Sequence, residues 1–336
     1  MTGGRMNRRS LQMINAPWLD DAVQRFEGRL ARGQTPQALL IHGPVGIGRR
    51  HFALTLAARL LGSDWRPSID EPAGQLGGVP HPDYWGVGVD DDSRVIKVDQ
   101  IRDLNRTLGL TSHRGGWKVG LIWPADALNH NAANTLLKTL EEPASGTTLL
   151  LVADAPGRLP ATVVSRCERI RLSPPTRTAA LAWLLERHRE RAACERALLF
   201  ACGAPLMARD LLAGGEDAGV GELLAELGEE LQQLIDRTVP PTTLARAWAR
   251  RDASVCLRWL YLQTAELLRR QARAPNDHVE ARWPLKIPDA PVNMAACSAY
   301  LDQIVEAQRH KDRSLNMEVI FADLLMWWYG AAGAAR

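Results

Sequence analysis

The spacing of apolar residues changes near residue 173 and divides this chain into two kinds of sequence. Ahead of that point, short apolar runs alternate with segments whose apolar positions recur every three or four residues, the pattern of strands interleaved with amphipathic helices. Strands are predicted over 38–42, 84–89, 118–123, 148–153 and 168–172, with helices after Gly48, over 98–108 and 127–142, and a short one within 160–166. Strands of this kind, several of them continuously apolar, imply a parallel sheet covered on both faces. Residues 62–82 hold four glycines and four prolines and no periodic segment, so they read as a loop or a degenerate insertion. After Ser173-Pro174-Pro175 no further strand-like run occurs. Three short helices fit 176–214, the pair Gly214-Gly215 suggests a boundary, and longer amphipathic helices are predicted over 220–237, 242–250, 253–273, 294–310 and 316–329. The last carries Met317, Ile320, Phe321, Leu324, Leu325 and Trp328 on one stripe, expected to face a core within the chain.

Composition narrows the function classes. With 336 residues, a prior of about two domains applies, and 46% apolar residues is enough to bury ordinary cores. A formal charge of +3, from 41 basic and 38 acidic side chains, excludes both an acidic disordered chain and a strongly basic nucleic-acid coat. The five cysteines, Cys167, Cys194, Cys202, Cys256 and Cys297, never fall at the two-residue spacing of zinc or redox pairs. Their odd number argues for a reducing compartment. No apolar run reaches the ~18 residues of a membrane span, and the first residues lack the apolar segment of a signal peptide, so a cytoplasmic protein with no membrane partner is expected. Only five basic residues are lysines, which makes arginine in place of lysine weak evidence unless the site demands an amine.

The segment Gly43-Pro44-Val45-Gly46-Ile47-Gly48-Arg49-Arg50 has the glycine spacing of a phosphate-binding loop and lies between a strand and a helix. Free N–H groups and the helix dipole would favour an anion there. The side chains depart from the pattern, which wants a lysine on the β- and γ-phosphates and then a small hydroxyl on Mg²⁺. Arg49 and Arg50 supply two guanidiniums and no metal ligand. A working site also needs acids at the end of a neighbouring strand, yet the strand near residue 122 ends in Trp123-Pro124. Asp126 is expected to be a helix N-cap. Gly43, Gly46, Gly48, Arg49 and Arg50 are therefore read as a degenerate loop, with binding of a phosphate left open. His51 and His81 are expected at the surface.

Residues 136–143 (LLKTLEEP), the strand after them, and residues 159–167 (LPATVVSRC) resemble the AAA+ module of bacterial clamp-loader subunits. Among those subunits, the degenerate loop, the missing acids and the retained Ser165-Arg166-Cys167 are similar to the kind that does not hydrolyse ATP, whereas gamma/tau keeps intact motifs. The resemblance implies an AAA+ α/β domain with a RecA-like parallel sheet over 1–172, a small helical lid over 173–214 and an all-α collar over 215–336. It implies that Arg166 is an arginine finger acting on a neighbouring subunit's ATP, with Ser165 and Cys167 structural. It also implies gamma/tau and delta subunits as partners, with the sliding clamp and primer-template DNA reached through the complex. Arg102 and Arg106 become candidates to face DNA, or are solvated charges. Arg209 falls two or three positions late for a sensor arginine and is expected to be a helix-surface charge. Members of the family commonly carry a four-cysteine zinc module between the loop helix and the next strand; residues 62–82 contain no cysteine, so no metal and no cofactor are expected. Two other readings are an ATP-hydrolysing subunit, opposed by Arg49, Arg50, Trp123 and Pro124, and a free-standing DNA-binding protein, opposed by the charge balance.

Overall fold

The computed structural model describes residues 16–62, 81–90, 93–213, 220–271, 293–310 and 316–333. Most of the glycine- and proline-rich stretch, and the Gly214-Gly215 pair, lie outside these residues. The chain forms two compact units, Met1–Pro175 and Thr176–Arg336.

In the first unit, a turn of 3-10 helix at Pro17–Leu19 leads into α1 (Asp20–Ala31). The strands are β1 (Ala38–His42), β2 (Tyr84–Val87), β3 (Lys118–Ile122), β4 (Thr147–Ala153) and β5 (Glu168–Arg171). Between them lie α2 (Arg49–Leu61), α3 (Val98–Gly109), α4 (His130–Glu141) and α5 (Ala161–Val164). All pairings are parallel, in the order β2-β3-β4-β1-β5, with Leu39 beside Leu150 and Gly120 beside Leu149. The central strands β1, β3 and β4 are buried almost throughout, as their unbroken apolar runs require. The edge strand β5 instead exposes Glu168, Arg169 and Arg171, charges that discourage pairing with another chain.

One apolar core joins Leu40, Leu149 and Leu151 of the sheet to Ile101 and Leu104 of α3, Leu136 of α4 and Val163 of α5. Gly120 allows this close packing, since a Cβ there would sit 2.8 Å from the Leu149 side chain and 2.9 Å from that of Leu108. The helix α2 buries ten of its residues, among them Phe52, Leu54 and Leu56.

One element is added and two expectations are corrected here. Helix α1 has no counterpart in the elements predicted from sequence. Asp126 is not the cap of α4: Asn129 takes that place, its Oδ1 accepting from the Ala132 N–H at 2.8 Å. Asp126 sits in a 3-10 turn and accepts the N–H groups of Asp154 (2.8 Å) and Ala155 (3.3 Å), tying the end of β3 to the end of β4. His51 and His81 are buried rather than superficial. The His81 ring accepts the Asp83 N–H at Nδ1 (3.1 Å), while the Asp83 carboxylate accepts the N–H groups of His113 (2.7 Å) and Arg114 (3.2 Å). This small polar network pins the start of β2 against the loop leading to β3.

The second unit is helical throughout its described residues: α6 (Arg177–Leu185), α7 (Arg191–Phe200), α8 (Pro205–Ala213), α9 (Val220–Ile235), α10 (Pro241–Trp248), α11 (Ala253–Gln271), α12 (Met294–His310) and α13 (Met317–Gly333). The stripe on α13 faces inward, with Phe321, Leu324, Leu325 and Trp328 buried and Met317 and Ile320 packed beside them. Trp248 makes edge-to-face pairs with Trp259 and Phe321 at 6.0 and 5.8 Å between centroids, a favoured aromatic arrangement. Tyr300 stacks on Trp327 at 4.4 Å and donates its hydroxyl to the Leu324 carbonyl at 2.9 Å. Arg209 lies on α8 beside Asp210, as a surface charge would. Among the described residues, no helix is long and apolar enough to cross a membrane.

Candidate functional site

The glycine-bearing loop lies where its spacing placed it, between the end of β1 and the start of α2. Gly46 and Gly48 have φ of 81° and 91°, left-handed conformations that favour glycine, and Gly48 is the N-cap of α2. Gly43 is needed for room: a Cβ there would collide with the Leu172 carbonyl and approach Ile47 Cδ1 to 2.9 Å. Each of these glycines is thus required by the loop's backbone.

Its side chains are committed elsewhere. Arg49, at the position of the motif's lysine, is only 6% exposed. Its Nη1 donates to the Ala153 carbonyl at 2.8 Å and its Nη2 meets the Asp154 carboxylate at 2.6 Å. A forked guanidinium satisfies both acceptors at once, which a lysine ammonium matches poorly. Arg50, at the hydroxyl position, lies over the Trp123 ring with its Cζ 4.7 Å from the centroid, within cation–π range. Trp123 stands just past β3, where a magnesium-binding acid belongs in a working site. The two substitutions noted in sequence thus touch each other. Cations gather at this edge of the sheet: burial, helped by Arg171, Arg169 and Arg49, lowers the pKa of His42 at the end of β1.

The Ser165-Arg166-Cys167 segment forms the turn between α5 and β5. Ser165 Oγ donates to the Thr162 carbonyl at 3.2 Å. Cys167 belongs to the buried core, and burial pushes its thiol up to about 11, which removes thiolate chemistry near neutral pH. Arg166 between them reaches outward. Its Nη1 donates to the Thr162 carbonyl at 2.9 Å, and its Nη2 pairs with Glu141 at 2.6 Å. Glu141 is the last residue of α4 and the first glutamate of the LLKTLEEP stretch, so the two motifs of the resemblance meet in one ion pair.

Sequence reasoning assigned no role to Glu141 or Asp154. The signals were an acid ending a motif helix and an acid directly following an apolar strand. Arg102 and Arg106 lie exposed on α3, and each pairs at 2.8 Å with an acid one turn earlier, Asp99 and Asp103. Among the described residues, no group of three or more His, Cys, Asp or Glu side chains is arranged to hold a metal ion.

A parallel sheet in the order β5-β1-β4-β3-β2, with a glycine loop after β1 and a Ser-Arg-Cys turn before β5, defines an AAA+ module of the clamp-loader kind. The family described as DNA polymerase III, delta subunit, matches residues 18–176. DNA polymerase III subunit delta' of Pseudomonas aeruginosa is 35% identical over 263 residues, covering 76% of this chain and 77% of that protein. The chain therefore belongs to the delta-prime family of DNA polymerase III clamp-loader subunits. The delta' subunit of Escherichia coli is 34% identical over 176 residues, covering 50% of this chain and 52% of that protein. A crystal structure of a DNA polymerase III gamma subunit-related protein from Thermotoga maritima aligns with a TM-score of 0.41 and 17% identity, covering 94% of this chain and 99% of that one.

Proposed function

We propose that this subunit hydrolyses no ATP itself and acts within the clamp loader by presenting Arg166 to ATP held by an adjacent subunit. The observation that carries the first half is the Arg50 guanidinium over Trp123 at 4.7 Å. The residues at the two positions that would serve Mg²⁺ offer it no oxygen and occupy each other. Arg49 supports the same reading, because it is spent on Ala153 and Asp154 and reaches a β,γ-phosphate only by abandoning both. The second half rests on Arg166, a permanently charged fork raised on a turn whose neighbour Cys167 is buried. Such a group stabilises negative charge on a transferring phosphoryl group when inserted into a water-poor site, an effect worth about 10³-fold or more.

In this reading the partners are gamma/tau and delta, and the assembly places the sliding clamp on primed DNA in the cytoplasm. Residues 173–214 serve as the lid and 215–336 as the collar that holds the subunits together. Arg102 and Arg106 approach DNA within the complex, with Asp99 and Asp103 tempering their charge. The test is to assay ATP binding and turnover by the isolated chain, and clamp loading by the chain reconstituted with gamma/tau and delta. The account expects no turnover alone and loading in the complex. Stoichiometric ATP hydrolysis by the isolated chain would overturn it.

A further inference from the structure

We infer that Glu141 is a positioning residue for Arg166, holding the guanidinium in the orientation from which it enters the neighbouring subunit's ATP site. The inference deepens the reading of Arg166 as a finger in trans and rests on it. A long arginine on a turn samples many rotamers, and a finger that must first be ordered gives up part of its catalytic effect. Here the side chain is ordered at both ends. At its root, Val163 and Cys167 are buried in the core and Ser165 Oγ closes back on Thr162. At its tip, two acceptors from different elements hold the fork: the Glu141 carboxylate ending α4, at 2.6 Å, and the Thr162 carbonyl in α5, at 2.9 Å.

These contacts use one N–H on each terminal nitrogen, leaving three of the five donors of the guanidinium for a phosphate. The pair is also open to water, with side chains 36% and 49% exposed. A pair so exposed binds weakly, so it sets a direction without competing against the charge of a triphosphate.

The experiment is a double-mutant cycle in the loader reconstituted with gamma/tau, delta and the sliding clamp, reading kcat and KM for ATP in DNA-stimulated hydrolysis. Assembly and melting of each variant are measured alongside. Glu141→Ala is expected to lower kcat several-fold with KM unchanged. Glu141→Gln, whose amide oxygen still accepts, is expected to keep most of the rate. In an Arg166→Ala background, Glu141→Ala should cost nothing more. An unchanged or raised kcat in Glu141→Ala would overturn the inference, as would an equal loss with and without Arg166, which marks a structural role. If Arg166→Ala itself runs at the wild-type rate, the finger reading fails and there is nothing to position. If Arg166→Ala loses activity while Glu141→Ala does not, the finger stands and only the positioning role is lost.

Discussion

The guanidinium of Arg50 stacks on the indole of Trp123, 4.7 Å from the ring centroid, so that a residue of the phosphate loop and a residue past β3 close on each other. A cation–π contact between half-buried partners contributes about 0.5–2 kcal/mol. Arg50→Ala is therefore expected to lower unfolding free energy by about 1 kcal/mol, read from denaturant midpoints, without conferring ATP binding. Arg50→Thr restores the motif's hydroxyl but leaves Trp123 and Pro124 in place, and it too should leave the isolated chain without turnover.

Arg49 makes a different prediction, because its partners are fixed by the fold. Arg49→Met leaves the Ala153 carbonyl without its side-chain donor and Asp154 without its cation, with an expected loss of about 1–3 kcal/mol. Arg49→Lys should recover only part of that loss, since one ammonium spans the two acceptors less well than a fork. Paired urea melts of the two variants decide the matter.

The sheet and its helices were legible because β1, β3 and β4 are buried on both faces and α3 and α4 carry clean apolar stripes. Helix α1 was missed although Val23, Phe26 and Leu30 recur at helical spacing; of these only Phe26 is fully buried. The substitutions at Arg49, Arg50, Trp123 and Pro124 could be read one by one. Their pairing could not, because Arg50 and Trp123 lie 73 positions apart and meet only when α2 and β3 come together. The same holds for Arg166 and Glu141, two motifs joined by a single ion pair. The histidines were misjudged because polarity says nothing of a network such as that between His81 and Asp83.

That network makes folding stability depend on pH. Burial, aided by the Arg114 charge, lowers the pKa of His81, so the native state prefers the neutral ring that accepts the Asp83 N–H. The unfolded chain then binds the proton more readily, and stability falls as pH drops through the ordinary histidine range near 6.5. Burial opposes ionisation of Asp83, but the N–H groups of His113 and Arg114 and the Ser112 hydroxyl outweigh it and lower the pKa. Its contribution is complete above the ordinary value of 3.8 and is lost at lower pH. Melting temperature should therefore decline from about pH 7 to pH 5, and His81→Gln should flatten that decline.

On the DNA side, Arg102 and Arg106 each sit beside an acid on α3. Replacing both by alanine in the reconstituted loader is expected to weaken primer-template binding several-fold and to reduce the salt slope of log K by up to about 2. An unchanged slope in a salt titration would assign them to solvated surface instead.

The most direct test of the central claim is DNA-stimulated ATP hydrolysis by the loader reconstituted with gamma/tau and delta, carrying either the wild-type chain or Arg166→Ala. The account predicts a fall of at least about tenfold for Arg166→Ala, with assembly intact and Arg166→Lys recovering little, because the fork as well as the charge is required. An Arg166→Ala loader that assembles and hydrolyses ATP at the wild-type rate would contradict it.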